Sequence, residues 1–332
     1  MARQPRLDAP GALHHIMGRG IERTAIFRTD QDRQDFLNRL TDLCLDGNLI
    51  VYAWSLMPNH FHLLVRTGRQ SISKSMRRLL TGYVVNFNLR HRRYGHLFQN
   101  RYKSIICEDD PYLLELTRYI HLNPLRAGMV SDLKQLSQYR WAGHSAIIGR
   151  VKREWQDIET VLHYFGKGRK AVEKYEQYVK EGISHGRRPE LVGGGLIRSL
   201  GGWSQVLSFR RKGMKVASDQ RILGGDEFIQ KLMSEAEERE KETLRLSRKV
   251  PDLPNLAKGI VKGAGVEEAE LRSGSRKREA VRARRLFCQL AIGKMGYPGA
   301  EVARFLGVTT SSVNRLAVSE EVPNLTEYFK LF

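Results

Sequence analysis

Apolar positions over the first 130 residues alternate between a period of two and a period near 3.6. Ala12–Met17 reads as a strand that stops at Gly18-Arg19-Gly20, and Asp30–Leu45 sets Phe36, Leu37, Leu40 and Leu43 on one helical face. Leu49–Leu56 and His60–Arg66 read as two strands joined by a Pro58-Asn59 turn, which makes a hairpin. Ser71–Arg90 spaces Met76, Leu79, Leu80, Val84 and Phe87 for burial on a helix, Ile105–Cys107 reads as a fourth strand and Pro111–Leu122 as the next helix. Asn123-Pro124 stops that helix, because the residue before a proline is pushed out of the α region. The order β-α-β-β-α-β-α predicts an α+β fold, a ferredoxin-like antiparallel sheet with one extra helix.

Beyond this point the pattern turns helical. Trp141–Ile148 and Trp155–Phe165 read as short helices that finish a first domain, residues 1–150. A middle segment, 151–250, reads as helical from Arg169 to about Lys249 and includes Arg198–Trp203 and the charged stretch Asp226–Arg248. Pro251-Asp252-Leu253-Pro254 marks a linker into an all-α domain, 251–332. There Val302–Val308, followed by Val313 and Leu316, has helix-turn-helix spacing, with Ala303 four residues before the turn glycine Gly307. A length of 332 residues agrees with two or three domains.

Charge changes the picture. Lys and Arg number 56 against 36 Asp and Glu, a net +20, while 41% hydrophobic residues suffice for packed cores. A folded protein with this excess repels itself unless a polyanion relieves it. Between Gly47 and Cys107 there is no acidic residue, yet the window holds Arg66, Arg69, Lys74, Arg77, Arg78, Arg90, Arg92, Arg93, Arg101 and Lys103. The expected partner is therefore a nucleic-acid backbone, with Arg77, Arg78, Arg90, Arg92, Arg93, Arg101 and Lys103 as phosphate contacts. No run approaches the ~18 apolar residues of a membrane span, and the polar Met1–Ala9 start lacks a signal-peptide core. Cys44, Cys107 and Cys288 show no paired spacing, so the chain reads as cytoplasmic, without a disulfide framework and without a membrane partner.

The candidate chemistry lies in the third strand. His60 and His62 are two residues apart and share one face, while Phe61 points to the other. On spacing alone the pair fits a metal site and an ordinary strand surface equally. Tyr119 and Asn123 stand at i and i+4 and stack on one helical face. If that face covers the sheet, a phenol and an amide approach the two imidazoles: oxygen nucleophile and third polar ligand around a divalent ion. Tyr83 and Tyr102 are competing nucleophiles in equally basic surroundings. His121 is about 200° around the helix from Tyr119 and is expected to be structural or to contact DNA, while Arg118 and Arg126 flank the helix end.

Leu56–Val65, Gly95-His96-Leu97-Phe98-Gln99-Asn100-Arg101-Tyr102-Lys103-Ser104 and Tyr119-Ile120-His121-Leu122-Asn123-Pro124-Leu125-Arg126-Ala127-Gly128 together resemble the REP-associated tyrosine transposases of the single-tyrosine HUH superfamily. The resemblance spans about Pro5 to Gly149. It implies a nuclease acting on single-stranded or hairpin DNA, with His60 and His62 holding Mg²⁺ or Mn²⁺, Tyr119 forming a 5′-phosphotyrosine and Asn123 as third ligand. Relatives place Gln or another polar residue at that last position.

In the last domain Ser275–Arg285 carries six basic side chains and one acid, among them Arg276, Lys277 and Arg278. The second helix of the pair offers Thr309, Thr310, Ser311, Ser312, Asn314 and Arg315 to a major groove. Ser275–Ala317 resembles the DNA-binding domain of the bacterial chromosomal replication initiator, which implies duplex binding. The expectation is thus a metal-dependent transposase that cuts and rejoins single strands, with DNA and a homodimer as partners. The rivals are a DNA-binding regulator with an inactive nuclease domain, and a replication or mobilisation nuclease with the same histidine pair.

Overall fold

Four strands carry the expected pattern into one sheet. β1 (Leu13–Arg19) pairs antiparallel with β3 (His60–Thr67) on one side and β4 (Lys103–Cys107) on the other, and β2 (Leu49–Met57) closes the hairpin with β3. The order β2-β3-β1-β4 is that of the α+β ferredoxin-like plan, and β5 (Ile222–Leu223) extends it in parallel beside β4. The computed structural model describes residues 11–186, 188–192, 221–225, 227–235, 252–317 and 319. They fall into two compact units, Met1–Lys231 and Leu232–Phe332.

The two faces of the sheet bury different helices. α1 (Asp30–Leu45) and α2 (Ile72–Arg90) cover one face, where Phe36, Leu40, Met76, Tyr83 and Phe87 meet Ile16, Trp54, Phe61, Leu63 and Val65. Thr29 caps α1 through a reciprocal capping box with Asp32. Asp32 is fully buried and also pairs with Arg90 and His91 from the end of α2, which ties the two helices together. α3 (Asp109–His121) covers the opposite face: Leu113, Leu116 and Ile120 pack on Leu13, Leu64 and Ile105. A register shift between Val51 and Ala53 in β2 lets Tyr52 and Ala53 both join this second core.

The short helices α4 (Asn123–Arg126), α5 (Leu133–Gln138), α6 (His144–Ile147), α7 (Ile158–His163) and α8 (Gly168–Glu181) continue the unit. Helix α8 adds Tyr175 and Val179 to the second core. The free edge of β2 is covered rather than left as a template for pairing: Leu56 N–H donates to the Trp141 carbonyl, Gly143 N–H to that of Trp54 and Asp157 N–H to that of Val51.

The structure departs from the sequence reading in three places. Helix α3 ends at His121, and Asn123 opens the separate α4, because Pro124 has no N–H to continue the ladder. Tyr119 and Asn123 therefore do not share one continuous helix. Ile222–Leu223, inside the segment read as helical, is a strand. Ile106 N–H donates to the Arg221 carbonyl and Glu108 N–H to that of Leu223, and two residues are too few to show a period. Leu253 and Pro254, read as linker, form the first turn of α9 (Leu253–Ala264), where a proline costs no hydrogen bond and Asp252 caps Asn255 N–H at 2.8 Å. Residues 227–235 are helical; the rest of Asp226–Arg248, and all of Arg198–Trp203, lie outside the described residues.

The second unit contains α9, α10 (Glu268–Leu271), α11 (Arg278–Cys288) with a π-helical continuation Gln289–Lys294, α12 (Gly299–Leu306) and α13 (Thr310–Ala317). Leu256, Ile260, Phe287, Val302, Leu306 and Val313 make its core, with Phe287 and Phe305 stacked at 5.4 Å. Gly307 joins α12 to α13 at φ 66°, a left-handed turn that suits glycine. No helix among the described residues is long and apolar enough to cross a membrane.

Candidate active site

Alternation along β1 and β3 puts His15, His60 and His62 on the face that α3 covers, and Met17↔His62 and Arg19↔His60 are cross-strand neighbours. Helix α3 brings Tyr119 over this face, its ring centroid 5.8 Å from that of His62 and 6.0 Å from that of His15, edge-on to both. The rings of His60 and His62 are 5.4 Å apart. All four expected residues, His60, His62, Tyr119 and Asn123, line one cavity of about 650 Å³. The break between α3 and α4 still leaves Asn123 beside Tyr119, because the chain stays locally helical: Leu122 N–H donates to Arg118 and Arg126 N–H to Leu122.

The hydrogen bonds engage one nitrogen of each imidazole. His60 Nδ1 pairs with Asn59 Oδ1 at 2.6 Å, and His62 Nδ1 pairs with His15 Nε2 at 2.9 Å, so in each ring Nε2 is the remaining nitrogen. Burial, helped by the charge on Arg19, pushes His60 down to about 4. Burial, followed by the charges of His15, His60 and Arg19, holds His62 well below the ordinary histidine range. Neutral rings are the metal-binding form. Asn123 lines the same cavity, with its amide Nδ2, a hydrogen-bond donor, buried without a partner, so that Oδ1 is the atom of this side chain able to face a cation. Two imidazole nitrogens and an amide oxygen on one cavity fit the donor set of a divalent cation, which takes nitrogen and oxygen ligands together. Among the described residues no group of three or more His, Cys, Asp or Glu is placed to hold a metal ion.

Among the described residues the charged lining is all cationic, from Arg19, Arg101, Lys103, Arg126 and Arg188. Arg126 stands over the Tyr119 ring, 5.4 Å from its centroid, and donates to the Gly182 carbonyl at 3.1 Å. Of the expected basic residues, Arg101, Lys103 and Arg126 therefore reach the cavity. Arg118 does not: it is buried, pairs with Glu115 and stacks on Tyr178 at 4.0 Å, because it sits on the flank of α3 that α8 covers. Arg90 is engaged by Asp32 and Asp35, Arg78 by Asp46, and Arg93 by Asn88 and the His96 carbonyl. The carboxylate-free window thus meets its carboxylates in space, from residues outside it. Arg92 is exposed in the turn after α2, at φ 48°. Arg77 and His96 line a second groove, of about 770 Å³, which shares Gln99, Asn100 and Arg101 with the first cavity.

The rival nucleophiles lie elsewhere. Tyr83 is fully buried, donates to the Ile26 carbonyl and is pushed up by burial, and Tyr102 is 8% exposed in the first core. His121 is in the second core, its Nδ1 2.7 Å from the Tyr175 hydroxyl, which His144 also meets at 3.0 Å. The sequence reading missed Arg19, Arg188 and His15. The parity of β1 could have found His15, which follows Leu13 onto the same face by a step of two; nothing local points to Arg188, more than 60 residues beyond Tyr119. In the second unit Arg276, Lys277, Arg278, Thr310, Ser311, Asn314 and Arg315 are exposed and Ser312 is half-buried, while Lys277 pairs with Glu270.

Residues 11–123 match the family described as IS200-like transposase. A solved structure of a REP-associated tyrosine transposase bound to a REP hairpin is similar at 18% identity, over 48% of this chain and 90% of that one, with a TM-score of 0.38. No curated protein matches.

Proposed function

From residues 11–123, an IS200-like transposase domain, we propose that this chain cleaves and rejoins single-stranded DNA through Tyr119. The observation that carries the reading is the convergence of His60, His62, Tyr119 and Asn123 on one cation-lined cavity. Tyr119 gives up its phenolic proton and its oxygen attacks the phosphorus. The bond to the 3′ oxygen breaks, that oxygen takes a proton and leaves as a 3′-hydroxyl, and the 5′ side stays on the enzyme as a phosphotyrosine. Attack by another 3′-hydroxyl reverses the exchange, so the phosphodiester energy is conserved and no nucleotide triphosphate is needed. His60 Nε2, His62 Nε2 and the Asn123 amide would hold Mg²⁺ or Mn²⁺, which when bound polarises the phosphate. Arg126, above the Tyr119 ring, favours the charged phenolate, and Arg19, Arg101, Lys103 and Arg188 favour the strand that carries the phosphate.

Hairpin-forming DNA is the proposed substrate and duplex DNA the proposed partner of the second unit, where Arg276, Lys277 and Arg278 precede a polar α13. The test is incubation with a hairpin-bearing single strand and Mn²⁺, followed by denaturing electrophoresis. A 3′-labelled strand is expected to become attached to the protein and a 5′-labelled one to be released. No adduct with the wild type, or an adduct that persists in Tyr119→Phe, refutes the reading.

A further inference from the structure

His15 is fully buried between two partners, the Leu191 carbonyl at 3.0 Å from Nδ1 and His62 Nδ1 at 2.9 Å from Nε2. A carbonyl oxygen only accepts, so His15 Nδ1 carries the hydrogen. The neutral ring then has only a lone pair at Nε2, and His62 must donate from its own Nδ1. Each proton in the line is thereby assigned from one backbone oxygen. At its far end His62, which lines the cavity, is left with a bare Nε2.

The carbonyl comes from a segment that the family match does not include. Pro189–Val192 is a short 3-10 turn that follows α8, about 70 residues beyond position 123. It is anchored three ways: Leu191 is buried in the second core, Arg188 pairs with Glu115 of α3 at 3.2 Å, and Lys103 donates to the Val192 carbonyl. Val192 and Arg188 also line the cavity. The turn is a strap across the site, held by the helix that carries Tyr119 and by β4.

We propose that His15 is a positioning residue: with the Leu191 carbonyl of the strap it locks His62 in the Nδ1-protonated tautomer, so that Nε2 is preset as a ligand. An imidazole without such a partner divides between two tautomers and turns more freely, and outer partners of metal-binding histidines matter for this reason. The inference rests on the proposed role of His62, and it ties that role to a part of the chain outside the transposase domain.

The test uses the full chain labelled with ¹⁵N-histidine, without metal, and reads the tautomer from long-range ¹H–¹⁵N correlations. His62 is expected to be protonated at Nδ1 and bare at Nε2; a hydrogen on Nε2 overturns the proposal whatever the protein binds. Mn²⁺ affinity, measured by calorimetry, is the second arm. His15→Phe, which fills the space without accepting a hydrogen bond, is expected to lose about 10- to 100-fold. His15→Gln, whose amide oxygen can accept from His62 Nδ1, is expected to keep most of the affinity. Equal affinities in the wild type and a folded His15→Phe overturn the positioning role. Should His15→Phe not fold, the wild-type tautomer and His15→Gln still decide. A wild type with the expected tautomer that binds no Mn²⁺ supports the tautomer lock and refutes the metal-dependent function.

Discussion

Gly18 lies in β1 between the neighbours of the two candidate ligands: Met17 faces His62, Arg19 faces His60, and Gly18 itself is opposite Phe61. A Cβ at position 18 would sit 2.7 Å from Phe61 Cζ and 3.3 Å from Cδ1, and would overlap Cε1. Phe61 is fully buried against Phe36, 5.0 Å between centroids, so its ring cannot swing away without disturbing α1. Gly18→Ala should therefore behave as overpacking and cost about 1–3 kcal/mol. For a unit of this size that corresponds to a midpoint lowered by roughly 2–12 °C. The strain falls on the strand that holds His60 and His62, so adduct formation should slow in the folded variant as well. Phe61→Leu removes the ring atoms that clash, and by itself should cost on the order of 1 kcal/mol. The double variant should then be more stable than the sum of the single costs, with a coupling of about 0.5–3 kcal/mol. Urea unfolding of the four proteins measures this. Additive costs, or a Gly18→Ala protein as stable as the wild type, would refute the packing argument.

Other expectations concern separate parts of the molecule. Burial raises the Asp32 carboxyl, but hydrogen bonds from Thr29, His91, Arg90 and Arg28 outweigh it and the net shift is downward. A lowered folded pKa stabilises above the ordinary carboxylate value near ~4, and that contribution is lost as pH falls below it toward the folded value. Acid unfolding followed by circular dichroism should show a flatter acid limb for Asp32→Asn, at lower stability near neutrality; parallel limbs would contradict the assignment. Chelation with EDTA should abolish the Tyr119 adduct and added Mn²⁺ restore it, whereas His62→Ala should not recover at the same Mn²⁺ concentration. In the second unit, Arg276→Ala combined with Arg278→Ala should weaken duplex binding evenly across sequences. It should also reduce the slope of log affinity against log salt by about 1.8, read by fluorescence anisotropy; an unchanged slope excludes these residues from the backbone contact.

Much of the site was legible in the chain because it is built on local periods. The step of two places His60 and His62 together on β3, and the amphipathic pattern of Pro111–Leu122 makes a helix whose covering face includes Tyr119. Both are consequences of backbone geometry over a few residues, and they survive into the structure within a residue or two at the ends. Even the proline that breaks the helix at Asn123 was visible, although its effect was to start a new helix rather than only to stop the old one.

What the tertiary structure decided is which charges face the cavity and which are used up elsewhere. Arg90, Arg78 and Arg66 looked like phosphate contacts or belonged to a carboxylate-free stretch, yet they meet Asp32, Asp46 and Asp109, and Arg118 turns to Glu115. Arg19 and Arg188 entered the site from strand parity and from a strap far along the chain. The Arg78–Asp46, Arg66–Asp109 and Arg90–Asp32 pairs, 32 to 58 positions apart, and the His15–Leu191 bond, 176 apart, leave no periodic trace, because their energy depends on where folded elements meet and not on neighbours in sequence. The amino-acid order by itself determined the two histidines, the tyrosine, and the strand and helix that carry them. Only the packed chain determined that a carbonyl at Leu191 reaches, through His15, to one of those histidines.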